Sequence, residues 1–492
     1  MIKLETASPE ELGISSEKLL EFLLYLEDRK LCMHNILVLR HGKIVMEANY
    51  PPFTGNTLHR MYSVTKSFVS IAIGFMIAEG KLTLQSRMAE FFPEYLTEPV
   101  HQFKKEMTVR DLLMMATPYD QTTYTRYDRN WTQTFYTAAP SHTAGAAFNY
   151  DTSGTVALTA LVEKLSGLNL IEYLRPRLFE PLGFSPGVRC IERPEGGAWG
   201  GSGLMCSSCD LARFGLFLLN RGKWEGRQLL PASYLTEACS PLIDTRVTNA
   251  NTEMQFGYGY QIWRTRNNGF CAWGIGTQLA LCLPDKDVLL VTTGDTQSVA
   301  AGQDIVLYAF FKLVYNFIQN ETTPQNSDSL LTLRNKLTRL EFPAVEGKTS
   351  SANQINYSGK KYYFENNAMK LKWVIFDFLQ DEAAMKYENA TGIHEIRFGL
   401  GKYTEGTFPE THYFDSRIGT PCNRGYRCKA SGSWFNPQSL TFYVYIIDNY
   451  FGLLKVNCCF ENNRMTLSMS KNAEWFLDEY TGMATGTAEP KL

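Results

Sequence analysis

Apolar positions along the chain fall into a helical rhythm interrupted by short strand-like runs. Leu19, Leu20, Phe22, Leu23 and Leu26 recur at helical spacing, and residues 9–29 read as an amphipathic helix capped by Ser15 or Ser16. Residues 35–40 and 43–48 read as two strands joined at His41-Gly42, a hairpin signal. Residues 67–77 are apolar, mildly amphipathic and free of proline, the pattern of a buried helix with Ser63 at its first turn. Further helical patterns include residues 107–115, 156–165, 210–220 and 303–318. The tract 118–140 is rich in Tyr, Thr, Asp, Arg and Trp and reads as an exposed loop that shapes a pocket. Strand signals return at 256–263, 270–276, 278–283 and 288–293, the last two around the turn Pro284-Asp285-Lys286-Asp287. Strands at both ends with helices between them predict one antiparallel sheet flanked by helices, with an all-helical region, hence an α+β domain over residues 1–319.

The texture then changes. Residues 320–352 are polar around a short helix and read as a linker. From 353 to 492, alternating or continuously apolar runs are separated by Gly and Asn turns. They predict an antiparallel, lipocalin-like β-barrel whose aromatic residues fill a core more readily than they line a cavity.

Composition narrows the function. A chain of 492 residues is long enough for two or three domains, and a net charge of −2 gives no reason to expect nucleic acid or an anionic membrane surface. No basic, apolar leader opens the sequence and no run reaches membrane-spanning length. The 11 cysteines are odd in number and scattered, which fits reduced thiols in a cytoplasm. Cys206-Ser207-Ser208-Cys209 is a lone pair without further metal ligands, and the 7 histidines show no ligand spacing. No metal or organic cofactor is implied. Gly-x-Ser-x-Gly and His-Glu-x-x-His motifs are absent.

One stretch carries candidate chemistry. Ser63-Val64-Thr65-Lys66 places a serine at the first turn of the apolar helix, where unpaired backbone N–H groups favour developing negative charge. Lys66, three residues on, shares a helix face with Ser63. A serine hydroxyl needs a base, and a lysine that loses solvation in a closed site can serve. Ser-x-x-Lys also occurs at Ser15, Ser358 and Ser468, but only the Ser63 copy opens a long apolar helix. Tyr150 is a candidate second proton carrier, its phenol expected to acidify beside a cationic lysine; among 26 tyrosines the bland reading is a core residue. Gly274 and Gly276 leave a strand edge bare for a substrate carbonyl, or mark a bulge.

The ordered set Ser63-x-x-Lys66, Phe148-x-Tyr150-x-Thr152-x-Gly154 and Trp273-Gly274-Ile275-Gly276 resembles the serine β-lactamase-like superfamily, which holds class C β-lactamases, penicillin-binding proteins, D-aminopeptidases and family VIII esterases. Supporting stretches are residues 39–43, 108–113, 201–204 with 210–214, and 258–260. The resemblance implies that Ser63 is the acylated nucleophile, that Lys66 assists its deprotonation, and that Tyr150 relays the proton. It further implies an oxyanion hole from the backbone N–H groups of Ser63 and Gly276, with Thr152, Trp273, Gly274 and Ile275 lining the substrate. Two positions depart from the pattern. Trp273-Gly274-Ile275 stands where β-lactamases and transpeptidases carry Lys-Thr-Gly, so the cation expected to meet a substrate carboxylate is missing. Thr152 stands where asparagine or serine is commoner, and it offers no amide. The first reading is therefore a serine hydrolase acting on small acyl esters. The alternatives are a D-aminopeptidase, amidase or β-lactamase-like enzyme of the same fold, or a catalytically idle binding protein. The expected partner is a small-molecule ester or amide, with no nucleic acid and no membrane.

Overall fold

A computed structural model describes residues 4–96, 98–248, 251–324, 326–409, 425–448 and 450–488. The chain divides into two compact units, Met1–Phe342 and Pro343–Leu492.

The first unit is built on a six-stranded antiparallel sheet of β1 (Met33–Arg40), β2 (Lys43–Asn49), β3 (Trp263–Arg264), β4 (Phe270–Gly274), β5 (Gln278–Leu283) and β6 (Val288–Gly294), in the spatial order β2-β1-β6-β5-β4-β3. The first hairpin turns at His41 and Gly42, both left-handed (φ 49° and 75°), which matches the right-handed twist of the strands it joins. β1, β4, β5 and β6 are buried along their whole length, which explains their continuous apolar runs. Alternate residues serve the two faces. Leu37, Leu39, Leu289 and Val291 join the large core around α2 (Val64–Ala78), α3 (Thr152–Ser166) and α4 (Ser208–Leu219). Away from the sheet, α1 (Ser16–Asp28) and α5 (Gly302–Leu313) meet through Phe22 and Phe310, whose rings lie 5.7 Å apart edge to face. The short helix expected within 320–352 is α6 (Ser327–Leu337), and Lys336 pairs with Glu27 of α1 at 2.6 Å.

Two expectations are corrected here. The tract 118–140 is not an open loop: Asn130 caps a helix at Trp131–Thr137, and Tyr119, Trp131, Phe135 and Tyr136 are buried. Its polar residues cap and tie the tract, while its aromatics supply core. The strand expected at 256–263 survives only as Trp263–Arg264, because Gly257 and Gln261 adopt left-handed φ values of 98° and 57°.

The second unit is a closed antiparallel barrel. Its strands are β7 (Lys361–Phe364), β8 (Trp373–Phe378), β9 (Glu382–Asn389), β10 (Gly392–Leu400), β11 (Thr404–Phe408), β12 (Tyr426–Asn436), β13 (Ser439–Ile447), β14 (Phe451–Glu461), β15 (Arg464–Asn472) and β16 (Gly482–Ala488). A parallel pairing of β10 with β12, Gly399 opposite Ser431 and Leu400 opposite Gly432, closes it, while β11 pairs with β12 beside the seam. Phe398 and Phe442 stack in the interior at 4.2 Å, and a Cβ on Gly432 would stand 2.8 Å from the Phe398 ring and 2.8 Å from the Phe442 Cβ. The aromatics fill the barrel as core. Among the described residues, no single helix is long and apolar enough to cross a membrane.

Candidate active site

Ser63 occupies the N-cap of α2 and is half-buried. Tyr62, just before it, is buried with a left-handed φ of 47°, a conformation a non-glycine residue holds only when its surroundings enforce it. The enforcement is visible. Arg60 lies over the Tyr62 ring at 4.3 Å and over Trp199 at 4.7 Å, and its guanidinium donates to the Ser202 carbonyl and hydroxyl at 3.0 and 2.9 Å. The Thr65 hydroxyl donates to the Tyr62 carbonyl at 2.6 Å.

Lys66 is 1% exposed. Its Nζ donates to the Ser63 hydroxyl at 3.1 Å and to the Gly201 carbonyl at 2.6 Å, and lies 5.1 Å from the centre of the Tyr150 ring. The three residues singled out by motif order therefore converge, although 84 positions separate Lys66 from Tyr150 (150 − 66 = 84).

Tyr150 precedes Asp151, the buried N-cap of α3, whose carboxylate accepts from the Ser153 N–H at 2.8 Å and the Thr117 hydroxyl at 2.8 Å. Its ring stacks on Trp263 at 5.6 Å and meets Tyr258 edge to face at 6.4 Å. This wall corrects one expectation. Burial pushes the Tyr150 phenol up to about 12, and the Ser63 hydroxyl beside it acts in the opposite, weaker sense. The phenol is thus held neutral rather than acidified.

The third predicted segment ends β4 and turns into β5. Gly274 packs against the start of α2: a Cβ there would stand 2.3 Å from the Met61 carbonyl oxygen and 3.2 Å from the backbone nitrogens of Ser63 and Val64. Ile275 is 40% exposed at the turn, and Gly276 is left-handed (φ 78°) with its backbone buried. The Gln278 side chain fixes this turn by donating to the carbonyls of Ile275 and Gly294 at 2.8 and 2.7 Å. Trp273 is buried, and its indole N–H is engaged by Gln303 of α5 at 3.1 Å. The same Gln303 donates to the Gly274 carbonyl at 2.8 Å. Thr152, half-buried, opens α3 and donates its N–H to Thr122 at 3.1 Å.

Sequence reasoning missed the supporting residues. Gln278, Gln303 and Trp263 act on the site through the fold, and none sits in a spacing pattern with Ser63; Gly201 lies in the supporting stretch 201–204, but its carbonyl contact with Lys66 was not foreseen. Gln261 is a further case: buried, it accepts from the Thr155 hydroxyl at 2.6 Å and from the Ser67 hydroxyl through its backbone carbonyl at 2.7 Å, tying α3 to α2. Among the described residues, no cluster of His, Cys, Asp or Glu could hold a metal ion.

Comparison with known proteins gives a consistent placement. The sequence model of the beta-lactamase family matches residues 34–306. A 6-aminohexanoate-dimer hydrolase of Paenarthrobacter ureafaciens is 25% identical over 297 residues, covering 55% of this chain and 75% of the relative. Beta-lactamase-like protein 2 of Dictyostelium discoideum is 23% identical over 334 residues, covering 58% of this chain and 59% of its own length. Among solved structures, a Bacillus anthracis protein provisionally assigned as a 6-aminohexanoate-dimer hydrolase superposes with a TM-score of 0.52 at 17% identity, over 66% of this chain and 89% of that one. SurE with D-Leu gives 0.50 at 14% identity, over 91% and 95%. These likenesses between structures concern the fold.

Proposed function

The chain belongs to the beta-lactamase family, and from that premise we propose that it is a serine hydrolase that opens small acyl esters through an acyl-Ser63 intermediate. One observation carries the reading: the buried side-chain nitrogen of Lys66 lies 3.1 Å from the Ser63 hydroxyl and 5.1 Å from the centre of the Tyr150 ring. In the proposed reaction, Lys66 acts as a neutral amine: the Ser63 oxygen attacks the ester carbonyl as its proton passes to the Lys66 nitrogen. The tetrahedral oxyanion is met by backbone N–H groups at the start of α2 and at Gly276. The neutral phenol of Tyr150 supplies a proton to the departing alkoxide and takes one back from the protonated Lys66, so both return to their starting forms. Water then repeats the sequence in reverse to free Ser63.

Ester rather than β-lactam chemistry is supported by Trp273-Gly274-Ile275. The indole here is buried against Gln303, so this segment offers a substrate carboxylate no side-chain cation. An amide substrate is the second reading, favoured by similarity to a relative named for hydrolysis of the 6-aminohexanoate dimer.

The test is a substrate panel of p-nitrophenyl esters, nitrocefin and D-alanyl p-nitroanilide, read by turnover and intact mass. Ester turnover with an acyl adduct on Ser63, absent in Ser63→Ala, supports the reading. Preferential anilide cleavage moves it to the amidase. Nitrocefin as the best substrate, or no adduct and no turnover on any of the three, overturns it.

A further inference from the structure

A cavity of about 380 Å³ lies at the β2 edge of the sheet, against β2, the turn at 54–56 and the start of α4. Its lining includes Leu4, Ile44, Glu47, Asn49, Cys209 and Arg213, none of which belongs to the Ser63 site. The volume falls within the range of small-molecule pockets.

The cavity carries one fixed charge of each sign. Arg213 is 4% exposed, although the hydration lost in burying a guanidinium favours keeping it at a surface. It pairs with Asp210 of the same helix at 3.5 Å, and the Asp210 oxygens also accept from the Ser207 N–H and hydroxyl at 3.1 and 2.8 Å and the Ser185 N–H at 2.9 Å. Glu47 is exposed at the rim, yet it is aimed. A directed chain of side-chain hydrogen bonds runs from the Thr293 hydroxyl to Asn35 (2.9 Å), from Asn35 to Asn49 (2.6 Å) and from Asn49 to the Glu47 carboxylate (3.0 Å). Thr293 and Asn35 are fully buried, so this relay is anchored in the sheet. Cys209 lies between the two charges: Glu47 raises its thiol pKa and Arg213 lowers it, while burial, the largest influence, brings it to about 11. Gly55 keeps this end open. A Cβ there would stand 2.7 Å from the Glu47 carboxylate and 2.8 Å from the Cys209 sulfur.

We propose that this cavity is a second small-molecule site, for a free amino acid or similar zwitterion whose carboxylate meets Arg213 and whose ammonium meets Glu47. The aliphatic lining of Leu4 and Ile44 accepts its carbon skeleton. The guanidinium suits a carboxylate by its paired N–H donors, and the oriented Glu47 suits an ammonium. Binding here is separate from acylation at Ser63, so the site stands or falls independently of the proposed esterase.

Cys209 gives a local readout. In the full-length protein, alkylation by iodoacetamide at pH 8.5 is followed by peptide mass, with the exposed Cys459 as internal reference. L-Leucine and 6-aminohexanoate are the probes, with butylamine and butyrate as single-ended controls. At ten times its dissociation constant, a zwitterion should slow Cys209 labelling by about ten-fold while Cys459 is unchanged. Glu47→Gln, a change at the exposed rim, should remove the protection, and it should persist when Ser63 is blocked by a fluorophosphonate. No protection by either amino acid overturns the proposal. Equal protection by butylamine or butyrate alone, or protection unchanged in Glu47→Gln, does so too.

Discussion

Gly274 and Ser63 are in backbone contact: a side-chain carbon on Gly274 would stand 3.2 Å from the Ser63 nitrogen and 2.3 Å from the Met61 oxygen. The end of β4 therefore has to be bare for the nucleophile's helix to start where it does. Gly274→Ala should force the two apart, costing about 1–3 kcal/mol of stability by overpacking. It should lower kcat/KM on p-nitrophenyl acetate more than the stability loss explains. Chemical denaturation alongside steady-state kinetics separates the two effects, and unchanged kinetics would show that the contact does not position Ser63.

The Ser63–Lys66–Tyr150 cluster should act as a unit. Ser63→Ala should reduce esterase kcat by about 10³-fold or more and abolish the acyl adduct. Tyr150→Phe removes only the phenolic oxygen and should cost about 10²- to 10⁴-fold in kcat. Because burial holds the phenol near 12, Tyr150→Phe should leave the shape of the pH–rate profile between pH 6 and 10 unchanged. A limb in that window that disappears in the variant would assign Tyr150 a much lower pKa than its surroundings dictate.

Much of this site was legible in the sequence, for a physical reason. A nucleophile and its lysine three residues apart share one helix face, and the apolar run behind Ser63 marks a helix rigid enough to hold them. Tyr150 was legible from motif order alone. Its protonation was not, because the direction of a pKa shift depends on the packing of Trp263 and Tyr258, which lie more than 100 positions away in the chain. The helical part of the 118–140 tract was hidden by its polar composition, which reads as solvent-facing although Trp131 and Phe135 face inward. The barrel was legible from period-two patterning, whereas its parallel seam between Gly399–Leu400 and Ser431–Gly432 leaves no mark in either strand's own sequence.

Gln303 should be a positioning residue. It takes the Trp273 indole N–H with its carbonyl and gives its amide N–H to the Gly274 carbonyl, so one side chain sets both the indole and the strand edge. Gln303→Leu keeps the volume and loses both bonds. It should lower kcat by about 10- to 100-fold through misplacement of the strand edge, with a smaller effect on KM. A purely structural role would lower the melting temperature and leave kcat per folded molecule intact, so kinetics on thermally verified protein decide.

A last prediction concerns pH and stability, away from the reacting groups. His34 and His59 are fully buried and joined, His34 Nδ1 to His59 Nε2 at 3.1 Å, with His59 Nδ1 facing the Thr57 carbonyl at 3.0 Å. A carbonyl only accepts, so His59 carries its proton on Nδ1, and its Nε2 accepts from His34. Both rings are neutral in this arrangement. Burial pushes His59 down to about 4, and burial with the neighbouring His59 lowers His34 as well. The unfolded chain, with histidines near their ordinary 6.5, then binds more protons than the folded one between pH 6.5 and 4. This contribution is fully present above pH 6.5 and is lost as pH falls toward 4. For His59 the loss is about 3 kcal/mol. Urea denaturation at pH 7.5, 6, 5 and 4.5 should show stability declining over that range, and the decline should be shallower in His59→Gln. A flat wild-type profile, or one equally steep in the variant, would mean that the pair is already charged in the fold or that other groups govern its acid sensitivity.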